Sequence, residues 1–192
     1  MKKIFSVLFV LILFMSLTNA QSKMSLGLNG GTAIPTGDFA DGFDLGWGGN
    51  ALFAYHVSPN ADLTASAGYI SWKGKDSVEA TYSSIPVLFG AKYLFGKDKV
   101  RGYGSAELGV HFTTLDLPEY NVGGVMFGGK QSDVFFGWGI GAGVMFKVGE
   151  KVDLDLSAKY NMIVVGEENS WDQKSTSIDY FGIMLGVWFD LN

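Results

Sequence analysis

Between Met24 and Leu191 the chain is written in segments of about ten residues in which every second side chain is apolar and the others are small or polar, the period of a β-strand. Eight such segments can be followed. Their apolar positions begin with Met24, Leu26 and Leu28, then Trp47, Ala51, Phe53 and Tyr55, then Leu63, Ala65, Ala67 and Tyr69. Ile85, Val87, Phe89, Ala91, Tyr93 and Phe95 mark the fourth, and Ala106, Leu108, Val110 and Phe112 the fifth. Phe136, Trp138, Ile140, Ala142, Val144 and Phe146 mark the sixth, and Leu154, Leu156, Ala158 and Tyr160 the seventh. The eighth carries Phe181, Ile183, Leu185, Val187, Phe189 and Leu191.

The connections alternate in length. Ser58-Pro59-Asn60, Gly96 to Arg101 and Gly149 to Lys151 are short, whereas Pro35 to Leu45, Gly74 to Ala80, Asp116 to Gln131 and Val164 to Thr176 are mostly longer. An even strand count with short turns at one end and longer loops at the other predicts an all-β fold, an eight-stranded antiparallel up-and-down transmembrane β-barrel. A soluble lipocalin-like barrel shares the alternation, so the face that meets lipid needs separate evidence.

Two features choose the face. The second parity of the sixth segment is Gly137, Gly139, Gly141 and Gly143, a row suited to a narrow interior rather than to a water-facing surface, where Thr, Lys and Glu would serve better. The apolar parity also concentrates aromatic rings at its ends. Trp47, Tyr69, Phe112, Phe136, Trp138, Tyr160 and Phe181 fall near the loops, and Tyr55, Tyr93, Phe95, Phe146 and Phe189 near the turns, as two aromatic girdles. From Phe136 to Phe146, strand geometry with a tilt of about 45° covers roughly 23 Å of membrane normal, the height of an outer-membrane apolar band.

The N-terminus adds a location. Lys2 and Lys3, the apolar stretch Ile4 to Leu17, and Thr18-Asn19-Ala20 form the three parts of a secretory signal, predicting residues 1–20 as a leader cleaved after Ala20 and residues 21–192 as one barrel domain. The apolar stretch is shorter than the roughly 20 residues a spanning helix needs. Residue 21 is Gln, so no cysteine is present there to carry a lipid. Without residues 1–20 the chain loses two of its 14 basic residues and none of its 19 acidic ones, and a net charge of −5 becomes −7. That balance argues against nucleic acid as a partner. The chain has no cysteine, which excludes disulfides, thiolate metal sites and cysteine nucleophiles. It carries 27 glycines and is 15% aromatic, a combination that fits close-packed strands with a bulky outer face.

Three stretches carry a family likeness: Gly30 to Phe39 (GGTAIPTGDF), Tyr55 to Asn60 (YHVSPN) and Ser84 to Tyr93 (SIPVLFGAKY). They resemble the small outer-membrane β-barrel domain family that groups OmpX-, OmpW- and OmpA-barrel-like proteins. The final Gly186 to Asn192 resembles the C-terminal signal read by the outer-membrane assembly machinery, with Asn192 in place of the frequent terminal aromatic. The resemblance implies a fold and a place, the cell outer membrane. It also implies contact with outer-membrane lipid and lipopolysaccharide and an encounter with the assembly machinery during insertion. It brings no catalytic pattern.

The interior parity holds the ionisable residues Lys92, Glu107, His111, Lys147, Asp155, Lys159 and Asp179. Pairing across the turn near Asp98 sets Lys92 opposite Ser105 and diagonal to Glu107, and a similar count sets Lys147 near Asp155. An eight-stranded barrel is just wide enough for side chains to fill, so these residues are expected to pair inside a closed lumen rather than line a solute path. A lipid-modifying enzyme would need a nucleophile and a base. His111, Glu107 and Thr113 share one parity, but threonine is a poor substitute for serine and no second histidine is nearby, so His111 is expected as a satisfied interior residue. His56 is expected at the rim of the first short turn. Two distant histidines and scattered acids make no recognisable metal set, and no cofactor is expected. Function is therefore sought in the loops 35–45, 116–131 and 164–176 as surfaces for an extracellular partner. Leu115 to Phe127, with Leu117, Pro118, Tyr120, Val122, Val125 and Met126, is more apolar than a plain solvent loop needs, suited to extending the hairpin, covering the mouth or docking a partner. An OmpW-like reading would make it the gate of a path for small hydrophobic solutes.

Overall fold

The computed structural model describes residues 24–75, 79–96, 99–123, 125–166 and 177–191; the leader and its cleavage site, most of the 164–176 loop and Asn192 lie outside these. The eight strands are β1 (Met24–Thr36), β2 (Gly46–Ser58), β3 (Ala61–Lys73), β4 (Thr81–Phe95), β5 (Val100–Val122), β6 (Val125–Lys147), β7 (Val152–Val164) and β8 (Ser177–Leu191). A single helical turn, α1 (Phe39–Gly42), lies between β1 and β2. Each strand pairs antiparallel with its neighbours in sequence, and β8 returns to β1 to close the barrel. Closure removes the sheet edges that an open sheet would leave unpaired.

Alternation places the two faces as their chemistry requires. Along β8, Phe181, Ile183, Leu185 and Phe189 are exposed while Tyr180, Gly182, Met184 and Trp188 are buried. Leu185 is the most open of the large apolar residues, at 68%. In a water-soluble barrel this exposed belt would be unsatisfied; in a bilayer it is the face that meets lipid.

Three prolines lie within strands, Pro35 in β1, Pro86 in β4 and Pro118 in β5. By local rules Pro35 begins the first loop, but β1 continues through Thr36, paired there with β8 alone because its pairing with β2 stops at Ala33 opposite Gly46. A proline is tolerated where one strand edge is free. Pro86 sits in mid-β4, and the pairing of β3 with β4 skips from Ala67–Val87 to Ile70–Ser84, leaving Ile85 and Pro86 without a β3 partner while both stay in register with β5. The missing proline N–H is thus matched by a missing rung.

Residues 116–131, counted among the long connections, take the first of the forms considered for them: β5 and β6 run on as a paired hairpin to Val122 opposite Val125, with a register shift between Leu117 and Tyr120. The shift absorbs Pro118, and Gly123 at the turn has a positive φ of 64°. The two strands are 23 residues each, against 13 for β7 and 15 for β4 beside them. The hairpin therefore stands clear of its neighbours: β4 ends its pairing at Asp116 and β7 at Phe136.

Candidate functional site

The lumen is organised around the β6 glycine row. Lys159 Nζ on β7 donates to Glu107 Oε2 on β5 at 2.7 Å, Tyr103 Oη on β5 donates to Asp155 on β7 at 2.9 and 3.0 Å, and Arg101 Nη2 on β5 reaches Asp153 on β7 at 3.4 Å. In all three pairs the partners are 52 residues apart and β6 lies between them. A Cβ at Gly141 would come within 2.5 Å of Lys159 Cγ, and one at Gly143 within 2.5 Å of the Tyr103 ring. At Gly139 it would meet Asn161 and at Gly137 His111. Each glycine in the row thus leaves room for a named side chain from a neighbouring strand.

Toward the turn end, Lys92 is 6% exposed and its Nζ lies 4.4 Å from the Tyr103 ring centre and 4.2 Å from that of Trp188. The ring faces attract the ammonium, and Asp155, which also accepts from Trp188 Nε1 at 3.3 Å, supplies opposite charge nearby. Leu52, Ala54, Leu94 and Met145 complete this layer. Below it, at the mouth, Ser25 Oγ lies 2.7 Å from His56 Nε2, His56 Nδ1 lies 2.7 Å from Asp62, and Ser25 donates to Asp190 at 2.6 Å.

Toward the loop end the lumen is stopped by packed rings. Trp72 is fully buried and donates its Nε1 hydrogen to Ala33 O at 2.9 Å. Tyr180 packs on it at 5.1 Å between ring centres, and Phe39 of α1 at 5.4 Å, the latter also meeting Tyr82 at 5.6 Å. Ile70, Ile163 and Ala33 fill the remaining space. Between the two layers, the described residues line cavities of about 20 Å³, beside Asn29, Asn50 and Asn161, and about 30 Å³, beside Lys92, Glu107 and Ser157. Volumes of this size hold a water or two.

The structure places Lys92, Glu107, His111, Asp155 and Lys159 inside, and sets Lys92 opposite Ser105 in the β4–β5 register. Lys92 nevertheless turns to the aromatic rings, and Glu107 is taken by Lys159. Lys147 departs from the reading as a lumen residue. It ends β6, exposed and opposite Asp153, at a level where the barrel opens to water and parity no longer encloses a side chain.

His111, Glu107 and Thr113 do not form a working group. His111 is 1% exposed with Nδ1 3.1 Å from Ser84 Oγ, while Thr113 donates to the Asp133 carbonyl at 3.2 Å. Of the aromatic positions, Trp47, Tyr69, Tyr93, Phe112, Phe136, Phe146, Phe181 and Phe189 are exposed on the outer face. Tyr55, Trp138 and Tyr160 are half-buried, the last two edge-to-face at 6.2 Å. Ser25, Asp62 and Asp190 are functional candidates that the sequence reading misses. The available signal is that they and His56 all occupy the non-apolar parity at the turn ends of four strands.

On the extended hairpin, Lys130 pairs with Asp116 at 3.2 Å, and the hydroxyls of Thr114 and Ser132 meet at 2.9 Å. Beyond Asp116 on β5 and before Phe136 on β6, these strands pair only with each other among the described residues.

A closed, even-stranded barrel with an apolar outer belt and a filled polar lumen is a membrane-spanning β-barrel of the outer-membrane type. The chain belongs to the outer membrane protein beta-barrel domain family, whose model matches residues 5–189. Its localisation is the outer membrane. No curated protein matches the chain in sequence. Among solved structures it is similar to Neisserial surface protein A, with a TM-score of 0.62 and 21% identity over 91% of this chain and 100% of that one. It is also similar to Ail, the attachment invasion locus protein of Yersinia pestis, with a TM-score of 0.52 and 16% identity over 86% and 95% of the two chains. A major outer membrane protein of Thermus thermophilus matches with a TM-score of 0.53 and 13% identity, over 87% and 98%. At these identities the likeness is one of fold.

Proposed function

We propose that this outer-membrane barrel is a non-catalytic structural and surface-interaction protein whose contact element is the extended β5–β6 hairpin. The observation that carries this reading is the hairpin itself, which continues as a paired ribbon past the ends of β4 and β7. A ribbon whose two edges have no partner strand among the described residues offers backbone donors and acceptors to another extended chain, and Leu117 adds an exposed apolar contact. Apart from Lys130, the described charges of this region are Asp116, Glu119 and Asp133, favouring a neutral or basic partner over a polyanion. In that respect the chain differs from what the Ail structure in complex with the heparin analogue sucrose octasulfate would suggest by simple transfer. The outer belt and its rings are read as the contact with outer-membrane lipid and lipopolysaccharide, and the assembly machinery as the partner during insertion. The first twenty residues are read as the cleaved leader; N-terminal sequencing of the mature protein should begin at Gln21.

Passage of small hydrophobic solutes is the competing role, and the Trp72 ring cluster above water-sized cavities counts against it. The test replaces residues 118–128 with a two-residue Asn-Gly turn. The shortened barrel should still show different gel mobility before and after boiling, while binding of the purified protein to immobilised extracellular matrix proteins is lost. Equal binding by both forms, or a steady unit conductance of the intact protein in planar bilayers, would refute the reading.

A further inference from the structure

We infer that closing the barrel between β1 and β8 takes up one proton, held at the turn-end mouth by Ser25, His56, Asp62 and Asp190. The four residues come from four strands: Ser25 from β1, His56 from β2, Asp62 from β3 and Asp190 from β8. Three short contacts join them, Asp62–His56 at 2.7 Å, His56–Ser25 at 2.7 Å and Ser25–Asp190 at 2.6 Å. Each contact needs one hydrogen between its two heavy atoms. Two ionised carboxylates bring none, the serine hydroxyl brings one, and a neutral imidazole brings one. With both carboxylates ionised the cluster is therefore one proton short of its own geometry, and His56, the group in it that gains a proton near neutral pH, supplies it when protonated on both ring nitrogens.

The direction of the serine bond decides the role. Serine, histidine and aspartate in series is the order of a nucleophilic triad, in which the hydroxyl donates to the imidazole. Here an ionised Asp190 can only accept, so Ser25 donates to it and His56 Nε2 donates to Ser25 rather than accepting its proton. Ser25 is also buried, at 2% exposure. The arrangement is a clasp. The extra positive charge sits between two carboxylates, with His56 Nε2 also 3.9 Å from Asp190, and relieves the repulsion between Asp62 and Asp190 across the seam.

The other charges around the mouth complete its electrostatics. Arg101 on β5 acts on His56 and is itself paired with Asp153 on β7, while Lys92 on β4 lies within electrostatic reach of Asp62. In the separated strands the four groups are solvated and the extra proton has no reason to stay.

Two measurements on the detergent-folded barrel test the inference. Nitrogen NMR of the imidazoles at neutral pH should show both ring nitrogens of His56 protonated; one bare nitrogen would overturn the proposal. Urea unfolding between about pH 6 and 9 should show the unfolding constant of the wild type rising with pH, by up to tenfold per pH unit where the single proton is released. In Asp190→Asn the amide can donate to Ser25, Ser25 can then donate to His56, and a neutral imidazole satisfies every contact. That variant should fold and lose this slope, whereas a slope equal to the wild type would sink the idea.

Discussion

Lys159 on β7 holds Glu107 on β5 at 2.7 Å although a whole strand, β6, separates them. The lysine stem lies over Gly141, where a Cβ would come within 2.5 Å of Lys159 Cγ. Tyr103 and Asp155 make the same crossing over Gly143. The stretch of β6 from Gly137 to Gly143, bare of side chains on its inner face, thus lets the two neighbouring strands bond directly, joining three strands of the wall by contacts that ordinary ladder pairing does not supply.

Filling that space should be costly. Gly141→Leu and Gly143→Val should each lower the free energy of unfolding by about 1–3 kcal/mol or more, the range of overpacked cores. Gly104→Ala meets nothing within 4 Å and serves as the control, with a change near zero. Urea midpoints of the refolded barrels check all three.

The Glu107–Lys159 pair is mostly buried, so losing one partner leaves a charge in the lumen. Glu107→Ala alone should destabilise by about 3–5 kcal/mol, while Glu107→Leu combined with Lys159→Met should recover most of that loss. A double-mutant cycle reads the difference.

The outer face gives a depth-dependent test. Leu185→Arg at the centre of the belt should lose about 2–4 kcal/mol of stability in lipid vesicles. Leu117→Arg, on the hairpin past the end of β4 pairing, should be tolerated in the same assay. Equal penalties would mean the membrane band is misplaced.

The plug depends on Trp72. Trp72→Ala removes the ring on which Tyr180 and Phe39 pack and should cost about 3–5 kcal/mol. Trp72→Phe keeps much of the packing but leaves the Ala33 carbonyl without its donor, a loss of about 1–3 kcal/mol. Thermal melts of the two variants should therefore rank in that order.

The barrel is legible in the chain because alternation reports the side of a sheet each residue takes, and Phe136 to Phe146 against Gly137 to Gly143 reports it without ambiguity. The 116–131 hairpin is less legible. Pro118 with Gly123, Gly124, Gly128 and Gly129 marks a loop by local rules, yet pairing between β5 and β6 overrides them by placing the proline at a register shift. The occupants of the lumen are readable as a set, since parity places Lys92, Glu107, Asp155 and Lys159 inside. Their partners are not. Adjacency pairs Lys92 with Glu107, but the contact that forms joins strands two apart, over a glycine that gives no sign of which side chain it admits.

By itself the sequence determined the strand count, the closed barrel, the apolar outer belt and the outer-membrane location, because period, parity and turn chemistry are local or nearest-neighbour properties. Only the tertiary structure decided which charges meet, that rings close the upper lumen, that β5 and β6 extend beyond their neighbours, and that Ser25, His56, Asp62 and Asp190 share one mouth. Those relations depend on the register of each strand and on the curvature that brings β8 to β1. They connect residues up to 165 positions apart, as Ser25 and Asp190 are, which no local pattern encodes.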